Sequence, residues 1–174
     1  MSDAITPPEV PASEPPKQDA LVTQVIVLGL GAEPYARKAD CPAVQVSATQ
    51  LLPLMTRLRD DAGLAFDMLT AHTVVDRLDA NIFELVYYLY SLNHRKRLLV
   101  SSSIPRENPV VSTLTPVWKI AEFQEREAYD LFGIQYDNHP DLRRVFLEDD
   151  WKGFPLRKDY KDDFMLTHVI EEES

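Results

Sequence analysis

Apolar positions along this 174-residue chain follow two periods, and the switches between them mark its elements. Residues 21–30 (LVTQVIVLGL) form a short apolar run that fits a short helix or a strand, broken by Gly29 and Gly31. From Ser47 the period is helical. Leu51, Leu54, Met55 and Leu58 make one stripe, Ser47 and Gln50 have the spacing of a capping box, and Asp60-Asp61-Ala62-Gly63 ends the run. Pro53 is awkward inside such a helix and predicts that its regular part begins nearer residue 52. The pattern then turns strand-like: Phe66 to Val75 is rich in Thr and Val, Ile82 to Leu92 (IFELVYYLYSL) is aromatic and β-branched, and Lys96 to Ile104 follows. The connections Asp76–Asn81 and Asn93–Arg95 are of hairpin length, which predicts an antiparallel meander, because parallel neighbours need a longer crossover. After the loop Pro105–Pro109, Pro116 sits near the start of a helix predicted to run to about Phe132. Val117, Ile120, Ala121, Ala128, Leu131 and Phe132 lie on one face, with Gly133 at its C-terminal end.

Beyond Gly133 neither period continues. In residues 138–160 (NHPDLRRVFLEDDWKGFPLRKDY) the basic pairs Arg143-Arg144 and Arg157-Lys158 flank Glu148-Asp149-Asp150, and Trp151, Phe154, Pro155 and Leu156 share no face. Either the segment folds back on its own domain, its acids neutralising its bases, or it lies on a partner with its aromatics and arginines as anchors. Irregular stretches this long are uncommon inside a compact domain, which favours the partner. The expected fold is α+β: a small, mostly antiparallel sheet flanked by helices, with an extended irregular C-terminal tail. The expected division is a disordered leader at 1–20, where five of the thirteen prolines fall, an α+β domain at 21–134, and a partner-wrapping tail at 135–174.

The net charge of −10 argues against general binding to nucleic acid or anionic lipid. No apolar run approaches the roughly 18 residues of a membrane span, and no signal-peptide pattern is visible, so the expected location is the cytoplasm or the cytoplasmic side of a membrane. With Cys41 as its one cysteine, the chain cannot form an internal disulfide or a four-thiolate iron–sulfur site, and its four histidines lack ligand spacing. GLGAEP lacks the third glycine of a dinucleotide fingerprint, and no P-loop occurs. EREAYD places Glu125, Arg126, Glu127 and Asp130 on one helix. Arg126 is spaced to pair with Asp130, and the bland reading is a charged helix face. His139 and Asp141 lack a local nucleophile, so a turn role fits Asn138-His139-Pro140-Asp141 better than catalysis. A free-standing enzyme would have to gather Glu127, Asp130 and His139.

The stretch EREAYDLFGIQYDNHPDLRRVFLEDDWKGFPLRKDY closely resembles the signature of the 30 kDa subunit, also called the C subunit, of proton-pumping NADH:quinone oxidoreductase (respiratory complex I). Upstream, LRDDAGLAFDMLT, FELVYYLYSL and PRENPVVSTLTPVW resemble the family's elements in order, so the likeness covers roughly residues 43–162. Departures fall at Asn138, where the family usually has Gly, at Phe146, usually aliphatic, and at Phe154, often His. The last speaks against a proton role at that site. The resemblance implies an accessory subunit of the peripheral arm on the cytoplasmic side of the cell membrane, without catalytic residues. It implies no cofactor in this chain, with FMN and iron–sulfur clusters on other subunits, and an indirect membrane association. It implies docking on the large quinone-site (D) subunit and on neighbouring iron–sulfur subunits. It assigns interface roles to Glu125, Arg126, Glu127, Asp130, His139, Arg143, Arg144, Pro155, Leu156, Arg157, Lys158, Asp159 and Tyr160, and Trp151 joins them as an aromatic anchor. The alternative is the equivalent subunit of a membrane-bound hydrogenase or of a ferredoxin- or deazaflavin-dependent quinone oxidoreductase.

Overall fold

The computed structural model describes residues 20–161, so the leader at 1–20, save Ala20, and the last residues of the tail lie outside the described residues. The middle of the chain is the predicted meander: β3 (Met68–Arg77), β4 (Ile82–Ser91) and β5 (Lys96–Pro105), paired antiparallel. Asn81 closes the first hairpin in the left-handed conformation (φ +53°), which asparagine tolerates better than most side chains. Register puts Phe83, Leu85, Tyr87 and Leu89 opposite Ile104, Ser102, Val100 and Leu98, and this buried face meets the helices.

Two short strands extend the sheet, β1 (Glu33–Pro34) and β2 (Ala43–Gln45), giving the order β1-β2-β5-β4-β3 with β2 parallel to β5. Hydrophobic period does not reveal elements of two and three residues. The run at 21–30 resolves as helix α1 (Ala20–Ile26), which buries Leu21, Val22 and Val25. Helix α2 (Ala48–Asp60) buries the predicted stripe, but it starts at Ala48 rather than near residue 52. Pro53 sits inside it and removes one helical hydrogen bond. Both Pro53 and Thr49, whose carbonyl is freed, keep exposed surface, so water can satisfy that carbonyl. The Ser47 side chain makes no cap; its hydroxyl contacts Thr49 Oγ1 at 3.1 Å instead.

Helix α3 begins at Ala121, not near Pro116, and runs to Phe132. Residues 114–120 are turns fixed from outside. Arg59 donates to the carbonyls of Pro116 and Val117, and the buried Trp118 indole donates to Phe66 O at 3.2 Å. Gly133 ends the helix at φ +75°, as expected. The buried face differs from the predicted one: it carries Ala121, Glu125, Ala128 and Asp130, while Ile120 is 51% exposed.

Helix α3 also connects a second, two-stranded parallel sheet, β6 (Val110–Ser112) with β7 (Gln135–Asp137). This is a small βαβ unit, the topology that a parallel pair requires. Strand β7, with Tyr136 buried, therefore belongs to the domain, and the expected boundary at 134/135 is corrected to the turn after Asp137. The α+β class, the mostly antiparallel sheet and the irregular course of 138–161 are all present.

Candidate functional site

The signature residues gather where the end of α3 meets the strap formed by residues 138–161. Asp130 has no exposed surface, and its carboxylate is filled. Oδ1 takes Arg144 Nη1 at 2.7 Å, while Oδ2 takes the backbone N–H groups of Val145 (3.0 Å), Phe146 (2.7 Å) and Leu147 (3.0 Å). Burial opposes ionisation here, but these donors prevail and hold the carboxyl below its usual range. Arg144 also reaches the carbonyls of Asp130, Trp151 and Gly153 and lies over the Phe154 ring. One side chain thus closes the strap on itself and on the helix. The predicted Arg126–Asp130 pair does not form, because Asp130 points under the strap. Arg126 donates instead to the carbonyls of Arg143 and Arg144 and lies 3.9 Å from Asp141.

A second anchor lies at Gly133. A β-carbon there would stand 2.5 Å from the Phe154 ring and 2.7 Å from Arg157 Nη2, so the bare glycine is the seat of Phe154. Arg157 sits over Phe83 and Phe154 and donates to Phe132 O at 2.7 Å, and Leu156 N–H reaches Leu131 O at 3.1 Å. The third anchor is Asp76 on β3, 4% exposed, which accepts both Arg106 nitrogens (2.9 and 3.1 Å) and Lys158 N–H (2.8 Å). Arg106 also pairs with Asp159 at 2.6 Å. Tyr160 packs against Gly153.

The expectation that the strap's arginines anchor on a partner rather than on their own domain is therefore corrected for Arg144 and Arg157, which are seated within the chain on Asp130 and Phe132. Arg143 stays exposed and pairs with the neighbouring Asp141. Pro155 is half-buried, and Glu127 is exposed. Glu127, Asp130 and His139 do not form a common polar centre: Asp130 is sealed, Glu127 faces solvent, and both ring nitrogens of His139 are engaged. Nδ1 accepts Asp141 N–H at 3.1 Å and Nε2 donates to Glu122 O at 3.0 Å, which fixes the turn beyond Asn138 (φ +63°). The turn role holds. The outer side of the strap presents Phe146 (59% exposed), Trp151 (38%) and Leu156 (51%), beside Glu148, Asp149 and Asp150, which form no salt bridge among the described residues.

Sequence reasoning missed Asp76 and Arg106. They lie 30 residues apart, in segments read as a hairpin link and a loop, and no local spacing joins them to Lys158 or Asp159. It also missed Glu84, a buried carboxylate bound by Tyr35, Arg77 and Ser101 at a surface cleft of about 440 Å³. Burial opposes its ionisation, yet these donors hold its pKa below the ordinary value.

The family model described as "Respiratory-chain NADH dehydrogenase, 30 Kd subunit" matches residues 44–163. The C subunit of NADH-quinone oxidoreductase from Moorella thermoacetica is 43% identical over 122 residues, covering 70% of this chain and 81% of that protein. The C/D subunit of NADH-quinone oxidoreductase from Phocaeicola vulgatus is 39% identical over 131 residues, 75% of this chain but 25% of that protein. Among solved structures, the trypsin-resistant fragment (1–134) of Nqo5 shares the fold at a TM-score of 0.59 and 27% identity, covering 70% of this chain and 96% of the fragment. A chain of the archaeal membrane-bound sulfane sulfur reductase complex has the same fold at a TM-score of 0.72 and 23% identity, covering 87% of this chain and 88% of that one. The chain belongs to the 30 kDa subunit family of respiratory-chain NADH dehydrogenase, whose relatives include the C subunits of NADH-quinone oxidoreductases.

Proposed function

We propose that this chain is a non-catalytic scaffold subunit of the peripheral arm of a proton-translocating NADH:quinone oxidoreductase, docked on the quinone-site subunit at the cytoplasmic side of the membrane. The observation that carries this reading is the two-sidedness of the strap. Arg144, Arg157 and the Lys158 N–H are satisfied inward, on Asp130, Phe132 and Asp76, while Phe146, Trp151 and Leu156 face outward. Large aromatic side chains are enriched at interfaces, and tryptophan stands out among their hot spots. The Phocaeicola vulgatus relative, whose name joins C and D, supports the D protein, which would carry the quinone site, as the neighbour. The FMN and iron–sulfur clusters then belong to other subunits, in keeping with the single cysteine of this chain. Its contribution is positional, since electron transfer requires cofactors held at fixed separations.

The test is co-purification from gently solubilised membranes. Phe146→Ser with Trp151→Ser and Leu156→Ser should leave the isolated chain folded and abolish recovery of the quinone-site subunit. Undiminished recovery would overturn the docking assignment. The same preparation identifies the electron donor: a flavin- and NAD-binding module supports NADH, and a nickel-bearing subunit supports a hydrogenase.

A further inference from the structure

We propose that Glu125 is a buried, reversible proton-binding site whose state is passed through His139 to the turn from which the strap departs. The proposal does not depend on which complex the chain serves.

Glu125 has no exposed surface, and no lysine or arginine forms a salt bridge with it among the described residues. Two donors face its carboxyl: Thr113 Oγ1 at 2.5 Å and Leu114 N–H at 2.7 Å. Thr113 can serve the carboxyl in either charge state. Its hydroxyl also lies 3.0 Å from Thr115 Oγ1 and accepts Thr115 N–H at 3.1 Å. A hydroxyl has one proton to give. With Glu125 ionised, Thr113 gives its one proton to the carboxylate rather than to Thr115 Oγ1. With Glu125 protonated, the carboxyl donates to Thr113 and the Thr113 proton turns to Thr115 Oγ1. Both states use the same heavy-atom positions, so the site takes up or releases a proton without repacking.

The surroundings make the choice of state consequential. Around the carboxyl stand Tyr87 from β4, Tyr136 from β7 and His139 from the turn, whose Nε2 lies 3.9 Å from Glu125 Oε2; His72 from β3 stands behind them, bonded to Tyr136 Oη at 2.6 Å. The Tyr87 hydroxyl is buried with no hydrogen-bond partner. None of these groups supplies a fixed positive charge. Burial accordingly raises the Glu125 pKa to about 7, against the pull of its two donors. When the proton leaves, the new charge offers His139 Nε2–H a second acceptor in competition with Glu122 O. The imidazole that holds Asp141 N–H thus senses the state of Glu125.

Nuclear magnetic resonance titration of the full chain tests this. The Glu125 side-chain carboxyl carbon should titrate near pH 7, far from the other glutamates. The amide signals of Leu114 and Asp141 should follow the same midpoint, and Glu125→Gln should abolish both transitions. Thr113→Val, which removes the donor that favours the charged form, should move the midpoint upward and serves if Glu125→Gln folds poorly. A Glu125 midpoint in the ordinary range near 4.5, or an Asp141 transition that persists in Glu125→Gln, would overturn the proposal.

Discussion

Arg144 Nη1 lies 2.7 Å from Asp130 Oδ1, 14 residues away along the chain, and this pair turns a patternless segment into an ordered one. The Asp130 side chain is fully buried and that of Arg144 is 16% exposed, so the pair is shielded from solvent. Removing one member of such a pair leaves the other group's charge and hydrogen bonds unsatisfied. Asp130→Ala should cost about 3–5 kcal/mol by denaturant unfolding. Arg144→Ala should do nearly the same, and both should speed backbone exchange at Val145, Phe146 and Leu147. An Arg144→Ala chain with unchanged exchange there would return this residue to a purely intermolecular role.

The dependence of Asp130 on pH has a definite sign. Its carboxyl is held below the ordinary value of 3.8, so its contribution to stability is fully present above that value and is lost as pH falls through the folded value. Acid should release the strap before the sheet unfolds, with Phe146 and Trp151 gaining mobility while tryptophan fluorescence from the buried Trp118 stays native.

Near neutrality two buried groups oppose each other. Glu125 rises from 4.5 to about 7 by burial, so the stability it contributes at low pH is lost as pH rises through that window. His72 falls from 6.5 to about 4 by burial, so the stability it contributes at high pH is lost as pH falls through its own window. Each shift is worth roughly 3 kcal/mol at full extent, and the slopes nearly cancel between the two ordinary values. The wild-type chain should therefore show little net slope from this pair there. Glu125→Gln should unmask a stability that climbs with pH, measured by urea unfolding at a series of pH values.

Gly133 and Phe154 occupy one space. Gly133→Ala forces a side chain into a left-handed backbone and a β-carbon against the Phe154 ring, for a loss of about 2 kcal/mol or more. Phe154→Ala removes the clash with the ring but neither the close contact with Arg157 Nη2 nor the backbone strain. The double variant should lose less than the two single losses combined, and strict additivity in a double-mutant cycle would deny the contact.

Asp76 holds both Arg106 and the strap's Lys158 N–H. Asp76→Ala should leave Arg106 with the half-exposed Asp159 as its carboxylate partner among the described residues and free the end of the strap. Tryptic cleavage between 143 and 161 should quicken several-fold relative to the wild type. Equal rates would mean that this anchor does not hold the strap in solution.

The meander, the stripe of α2 and the helix ending at Gly133 were legible because each is written in a local period. Two of the strap's anchoring residues, Arg144 and Arg157, were visible as well, since their basic pairs stand out in an acidic chain, but their direction was not. A helical period assigns faces by apolarity alone, and α3 buries two carboxylates that such a rule sends to solvent. Glu125 and Asp130 can lie inside because donors arrive from Thr113, Leu114 and Arg144, residues 11 to 14 positions away.

By itself, then, the sequence determined the α+β class, the order of the main elements and membership of the 30 kDa subunit family, because hairpin lengths, periods and signature residues are local properties. Only the tertiary structure decided the short strands, the parallel β6–β7 pair and the inward clamp of the strap. Those depend on which distant donor meets which buried carboxylate, and a buried carboxylate is tolerable only where its donors are already in place.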